Sequence, residues 1–143
     1  MENTREFLVC HGWLRPGQLV RVDSKGNFVR GAYGCSTPGG SHASTGGGQA
    51  PPGGGHSPPD QALSKPLCFC TDGAGSIFVV DYGNSRVHLL NEHLQFVKHV
   101  LTREDNGVVD LRHCCFDERR GVLFVGLQSG GVVAFAVRRQ GEP

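Results

Sequence analysis

Apolar and polar positions in this chain alternate in short runs, and turn formers cut those runs at close intervals. Leu19-Val20-Arg21-Val22-Asp23 runs into Ser24-Lys25-Gly26-Asn27 and resumes as Phe28-Val29-Arg30, which predicts strand, tight turn, strand. Pro66-Leu67-Cys68-Phe69-Cys70-Thr71, the turn Asp72-Gly73-Ala74-Gly75 and Ser76-Ile77-Phe78-Val79-Val80 predict a second hairpin. Asp81-Tyr82-Gly83-Asn84-Ser85 turns the chain again. Arg86-Val87-His88-Leu89-Leu90 and Gln95-Phe96-Val97-Lys98-His99-Val100 then complete a four-stranded meander. Leu90, Leu94, Val97 and Leu101 also fall at helical spacing, but Asn91-Glu92-His93 is a turn signal inside that run. The pattern as a whole predicts an all-β chain.

Self-similarity organises these strands. A shift of 46 residues lays Cys68 on Cys114, Gly75 on Gly121, Ile77 on Leu123, Phe78 on Phe124, Val79 on Val125, Val87 on Val133 and Leu89 on Phe135. A shift of 68 residues, 22 more than the first, lays Leu19 on Val87, Val22 on Leu90 and Phe28-Val29-Arg30 on Phe96-Val97-Lys98. The excess is close to the length of residues 34–59, where nine of 26 residues are Gly and five are Pro. Such a segment has little to bury and cannot offset its ordering entropy, so residues 34–60 are expected to be a disordered loop inserted between two copies of one unit. The N-terminal copy, residues 1–33, then begins in mid-unit, with Glu6 to Gly12 as its second strand.

A period in the forties built of four strands is the signature of a β-propeller blade. One small sheet cannot bury both faces, whereas stacked blades hide each other's apolar positions. Ile77, Val79, Val87, Leu89, Leu123, Val125, Val133 and Phe135 are the expected inter-blade layer. The expected architecture is an incomplete β-propeller of about two and a half four-stranded antiparallel blades, with three, four and three strands. Its parts are a partial blade at 1–33, the loop at 34–60, a full blade at 61–109, a divergent, truncated blade at 110–137 and a tail at 138–143. A generic antiparallel sandwich is the alternative. Ten strands are too few to close a ring, so the chain is expected to be a piece of a larger propeller, or to need further blades or self-association.

Composition narrows the class. Among 143 residues, 22 are Gly and 38% are apolar, enough for a small core. The formal net charge of +1 gives no whole-chain attraction to nucleic acid or to an anionic membrane. Apolar runs such as Phe7–Cys10 and Ile77–Val80 fall far short of the roughly 20 residues of a transmembrane helix, and residues 1–6 lack a signal-peptide pattern. The six cysteines are Cys10, Cys35, Cys68, Cys70, Cys114 and Cys115. Cys68 and Cys70 share one face of a strand, while Cys114 and Cys115 point to opposite faces, a poor basis for a disulfide framework. Reduced thiols in the cytoplasm are expected. Zinc is the sharper alternative, since His11, His42, His56 and His113 lie near cysteines, but C-x-C and C-C are not structural zinc spacings. No metal and no cofactor is expected.

The unit from Lys65 to Leu101 carries Pro66, Asp72-Gly73, Ile77-Phe78-Val79-Val80-Asp81, Tyr82-Gly83-Asn84-Ser85-Arg86-Val87 and Phe96. It resembles an NHL repeat, a blade reading roughly as Pro, an apolar strand, an Asp-Gly turn, I-[FY]-V-[AV]-D, [YS]-x-N-x-R-[VI] and a closing strand. The unit from Asp110 to Val137 departs from that pattern, with Gln128-Ser129-Gly130-Gly131 at the place of Tyr82-Gly83-Asn84-Ser85. Gly83 and Asn84 are expected to take the left-handed backbone of a tight turn, with Asp81 and Arg86 flanking it as a cross-strand pair.

The resemblance implies a non-catalytic binding scaffold like the C-terminal propellers of tripartite-motif proteins. Their full-length forms often act as ubiquitin ligases through a RING that this chain's cysteines do not encode. The implied partner is a protein, with RNA as the second possibility and no membrane. The expected recognition face comprises Tyr82, Asn84 and Arg86 with Arg103 in the following loop, while Asp81 and Gly83 hold the turn. Arg86, Lys98, Arg103, Arg112, Arg119 and Arg120 favour RNA; Asp81, Glu104, Asp105, Asp110, Asp117 and Glu118 oppose it. Similar propellers also include lyases and lactonases that hold metal near a central channel. Here His88, His93, His99 and His113 share no inward face at strand spacing, so no catalytic residue is expected.

Overall fold

The computed structural model describes residues 5–11, 17–34 and 62–137. The Gly/Pro-rich stretch expected as a loop and the tail at 138–143 lie almost entirely outside these residues. The described residues form ten strands in three antiparallel sheets. β1 (Phe7–His11), β2 (Gln18–Val22) and β3 (Phe28–Tyr33) make the first sheet. β4 (Pro66–Thr71), β5 (Ile77–Asp81), β6 (Arg86–Leu90) and β7 (Phe96–Leu101) make the second. β8 (Leu111–Asp117), β9 (Val122–Leu127) and β10 (Val132–Ala136) make the third. Each sheet is a meander of sequence neighbours, in the expected grouping of three, four and three. No described helix is long and apolar enough to cross a membrane.

The second sheet is buried on both faces. Toward the first sheet, Ile77, Val79, Leu90 and Leu94 pack with Leu19, Tyr33 and Leu63. Toward the third, Phe78, Val80, Val87 and Leu101 pack with Leu111, Leu123 and Val125. This explains why β5 is apolar without a break from Ile77 to Val80, since both faces of the strand are buried. β10 alternates between exposed and half-buried, because only one face of its sheet is covered. The two outer faces stay open: Phe7 is 49% and Phe28 39% exposed on the first sheet, and Val132 is 66% exposed on the third.

Ile77 and Leu123 occupy matching places, each facing the preceding sheet. The alignment at 46 residues is corrected elsewhere. Thr71 pairs with Ile77 across a five-residue turn, whereas Asp117 pairs with Val122 across four residues. Likewise Val80 pairs with Val87, but Gly126 with Val132, again one residue shorter. Each lost residue flips the following pairing by one, and a one-residue slip exchanges the faces. Phe135 therefore takes the place of Leu90, not Leu89. Val87 and Leu89 face the third sheet, while Ile77 and Val79 face the first. Cys114, expected to superpose on Cys68, instead faces it across the gap between the sheets.

Three hairpin turns share one device. The Asp23 carboxylate accepts from the amides of Lys25 (2.8 Å) and Asn27 (2.9 Å). Asp72 accepts from Ala74 (2.9 Å) and Ser76 (2.8 Å), and the Asn91 side chain from His93 (2.9 Å) and Gln95 (3.0 Å). The fourth residue of each has positive φ: Gly26 (85°), Gly75 (92°) and Leu94 (60°). One short helix went unpredicted: α1 (Arg103–Asn106), where Thr102 Oγ1 accepts from the Asp105 amide at 3.0 Å and Gly107 closes the C-terminus at φ 67°. Gly34 and Leu63, on either side of the Gly/Pro-rich segment, are joined by Leu63 N–H donating to Gly34 O at 3.1 Å.

Candidate functional site

β5 ends in Asp81, whose side chain is fully buried. The chain then makes a single 3-10 turn over Tyr82–Asn84 before β6 starts at Arg86. The left-handed residue is Ser85 (φ 51°); Gly83 and Asn84 lie within the 3-10 turn, which corrects the expectation for both. Gly83 is required by close approach instead: a Cβ there would meet the Ser64 side chain and come within 3.0 Å of the Lys65 amide nitrogen.

Asp81 is the hub of this turn. Its carboxylate accepts from the amides of Lys65 (2.9 Å) and Ser64 (3.1 Å) and from Asn84 Nδ2 (2.7 Å). Asp81 and Arg86 are register partners, as expected. No direct ion pair joins them, however; His88 stands between. Its Nε2 lies 3.6 Å from Asp81 Oδ2 and accepts from Arg86 Nε at 3.2 Å, while its Nδ1 sits 2.9 Å from the Tyr33 hydroxyl. Asn84 Nδ2 and Arg86 Nη2 also donate to the Ala62 carbonyl, at 3.2 and 3.0 Å. The donors of Asn84 and Arg86 are thus engaged inside the molecule, tying residues 62–65 to the second sheet.

Burial alone would raise the Asp81 carboxyl, but the adjacent His88 ring and hydrogen bonds from the two amides and Asn84 outweigh it and hold it below its usual 3.8. Burial pushes His88 below its usual 6.5, and neighbouring Arg86 adds to this, against the pull of Asp81. A group with a lowered folded-state pKa binds its proton more readily when unfolded. Its stabilisation is complete above the unfolded-state pKa and is lost as pH falls through the folded-state value. Acidification is therefore expected to lower the melting temperature, beginning near pH 6.5 through His88 and continuing below 3.8 through Asp81. Thermal melts followed by circular dichroism across this range check it, and a flat profile between neutral and mildly acid pH would contradict the network.

Tyr82 points away from this network. Its hydroxyl donates to Gln128 Oε1 at 3.3 Å, and the Arg112 guanidinium lies 5.3 Å from the ring centroid. Gln128 belongs to the turn that replaces Tyr82-Gly83-Asn84-Ser85 in the next unit, so the two turns touch across sheets. Arg112 Nε is buried without a hydrogen-bond partner among the described residues. Arg103 is exposed at the start of α1, in the β7–β8 connection. The meander topology brings that connection, the Tyr82 turn and the Gln128 turn to the same end of the stack. Gln128 was legible as the aligned partner of Tyr82; Arg112 entered only as one of six basic residues and His88 as one of four scattered histidines, and Tyr33 not at all, because their roles arise only once sheets stack.

At the opposite end, a cleft of about 450 Å³ between the first two sheets is lined by Glu6, Arg21, Asp72 and Glu92 among others. Its charges are engaged locally, with Arg21 bridging to Glu6 at 3.8 Å and donating to the Glu92 carbonyl. No residue expected to bind a partner lies there. Neither a known protein family nor a curated protein matches the chain.

Proposed function

We propose that the three sheets are consecutive blades of an NHL-type β-propeller and that the chain is a non-catalytic scaffold that recognises a protein partner. The arrangement of the sheets supports the blade reading: the middle one is covered on both sides by its neighbours, and each outer one keeps an open apolar face that a further blade, or another copy, would cover. The free thiols of the described cysteines suit a reducing compartment such as the cytoplasm. In a tripartite-motif-like protein, ubiquitin transfer would belong to a RING, and these blades would select the target.

The observation that carries the binding assignment is the patch at one end of the stack. An aromatic ring, a guanidinium over it and the Gln128 amide converge from two sheets, with the Arg103 charge at the same end. Aromatic and arginine side chains are the groups that dominate binding energy when a partner desolvates them. Asp81, Gly83, Asn84 and Arg86 shape the turn beneath.

The double variant Tyr82→Ala/Arg103→Ala is expected to cut capture of a specific partner from cell lysate by about tenfold or more, under conditions where its circular dichroism spectrum shows it folded. Equal capture by the variant and the wild-type chain would refute this face. A captured RNA whose affinity falls steeply as salt rises would replace the protein partner with a phosphate-driven one.

A further inference from the structure

The register slip in β8 gathers three thiols at the contact between the second and third sheets. Cys68 and Cys70, two apart on β4, both face the third sheet, and Cys114 on β8 faces back. β8 packs more extensively on β4 than any other pair of strands from different sheets. Cys68 Sγ lies 3.9 Å from the Cys114 carbonyl, and Cys114 Sγ lies 3.8 Å from the Phe78 carbonyl. The Cys114 side chain neighbours both Cys68 and Cys70. All three are half-buried, not sealed in the core.

We propose that Cys68 and Cys114 form a peroxide-sensitive dithiol that closes to an inter-sheet disulfide, with Cys68 the attacking sulfur and Cys114 the resolving one. The Cys68 thiolate attacks one oxygen of hydrogen peroxide, the O–O bond breaks, and Cys68 becomes a sulfenic acid while hydroxide leaves and takes up the proton lost from the thiol. The Cys114 sulfur then displaces the sulfenic oxygen as water, so two thiols and one peroxide give one disulfide and two waters.

The surroundings assign these roles. The neighbouring Cys114 side chain lowers the Cys68 thiol to about 5 against its partial burial, and the Cys114 backbone and His113 add to this, which favours Cys68 as the attacking sulfur. Cys114 is pushed up, first by neighbouring Cys68, then by Cys70 and by burial, and so keeps its proton. Cys10 is the internal contrast. Burial, with Cys68 and Asp81 nearby, raises it to about 11, and its thiol donates to the Pro66 carbonyl at 3.3 Å. Cys115 is exposed, on the opposite face of β8 from Cys114.

The test uses the full reduced chain, treated with stoichiometric hydrogen peroxide and then with an alkylating agent. The expected result is an intact mass lower by two hydrogens before alkylation, two fewer alkylated cysteines, and a peptic peptide pair linking Cys68 to Cys114. The oxidised chain should melt several degrees higher, because a cross-link between these strands constrains the unfolded chain, and dithiothreitol should reverse the shift. Cys68→Ser and Cys114→Ser should each abolish the linkage, while Cys115→Ser and Cys10→Ser leave it intact. Should a serine variant not fold, the wild-type peptide map still decides the pairing. Oxygen added at Cys115 with no linkage, a disulfide between other cysteines, or six alkylated thiols after peroxide would overturn the proposal.

Discussion

Replacing Asp81 with Ala is expected to cost about 3–5 kcal/mol of folding stability, enough to leave a domain of this size largely unfolded near body temperature. The carboxylate is fully buried and serves the Ser64 and Lys65 amides and Asn84 Nδ2, with the His88 ring 3.6 Å away. Alanine removes the acceptor and leaves each donor to bear its desolvation penalty without a partner. The loss also propagates. Asn84 and Arg86 both donate to the Ala62 carbonyl, so residues 62–65 lose their anchor to the second sheet when the turn relaxes. Urea denaturation measures the effect, and exposed Arg103→Ala serves as the reference, expected to lie within about 0.5 kcal/mol of wild type. A loss at Asp81 below about 1 kcal/mol would mean that the network adds little to stability.

Phe78→Ala is expected to cost a similar amount, about 3–5 kcal/mol, by a different route. Phe78 is 1% exposed and stacks on Phe116 of the third sheet, with centroids 5.2 Å apart and rings 20° from parallel. Truncation leaves a cavity at the junction of two sheets, each of which depends on the other for cover. Phe116→Ala alone and the double variant complete a cycle, whose coupling should reach about 0.5–1.5 kcal/mol. The urea midpoint should fall while the denaturant slope stays unchanged. Strict additivity would show that the rings do not touch in solution and that β5 and β8 are not packed as described.

The strands were legible because each sheet carries its pattern locally. Short apolar stretches between turn formers mark β2, β5 and β10, and the side-chain turns at Asp23 and Asp72 announce themselves as Asp-x-x-Gly. The repeat was legible through Ile77 and Leu123 for the same reason. What a constant shift could not reveal was the pair of shortened turns around β9. Deleting one residue barely alters a sequence match but rotates the neighbouring strand's faces, so the aligned pairs Cys68/Cys114 and Leu89/Phe135 take opposite faces of their sheets, although Phe135 does lie in the expected layer between sheets. The DYGNSRV segment disclosed its turn but not its chemistry. Asp81 reaches backward to the amides of Ser64 and Lys65, and His88 meets Tyr33 from another sheet, 55 residues away. Contacts of that kind exist only after stacking. α1 escaped notice because one helical turn has no periodicity to detect, although Thr102, Asp105 and Gly107 are its cap signals.

Leu94 occupies the turn position that Gly26 and Gly75 fill elsewhere, yet its side chain is buried against Ile77 and Val79 in the inner layer. Two demands thus meet at one residue. Glycine would ease the backbone and empty the core, while a β-branched residue would fill the space and worsen the torsion. Only an unbranched apolar residue of similar volume meets both demands, so this corner of the second sheet has few single replacements open to it in evolution.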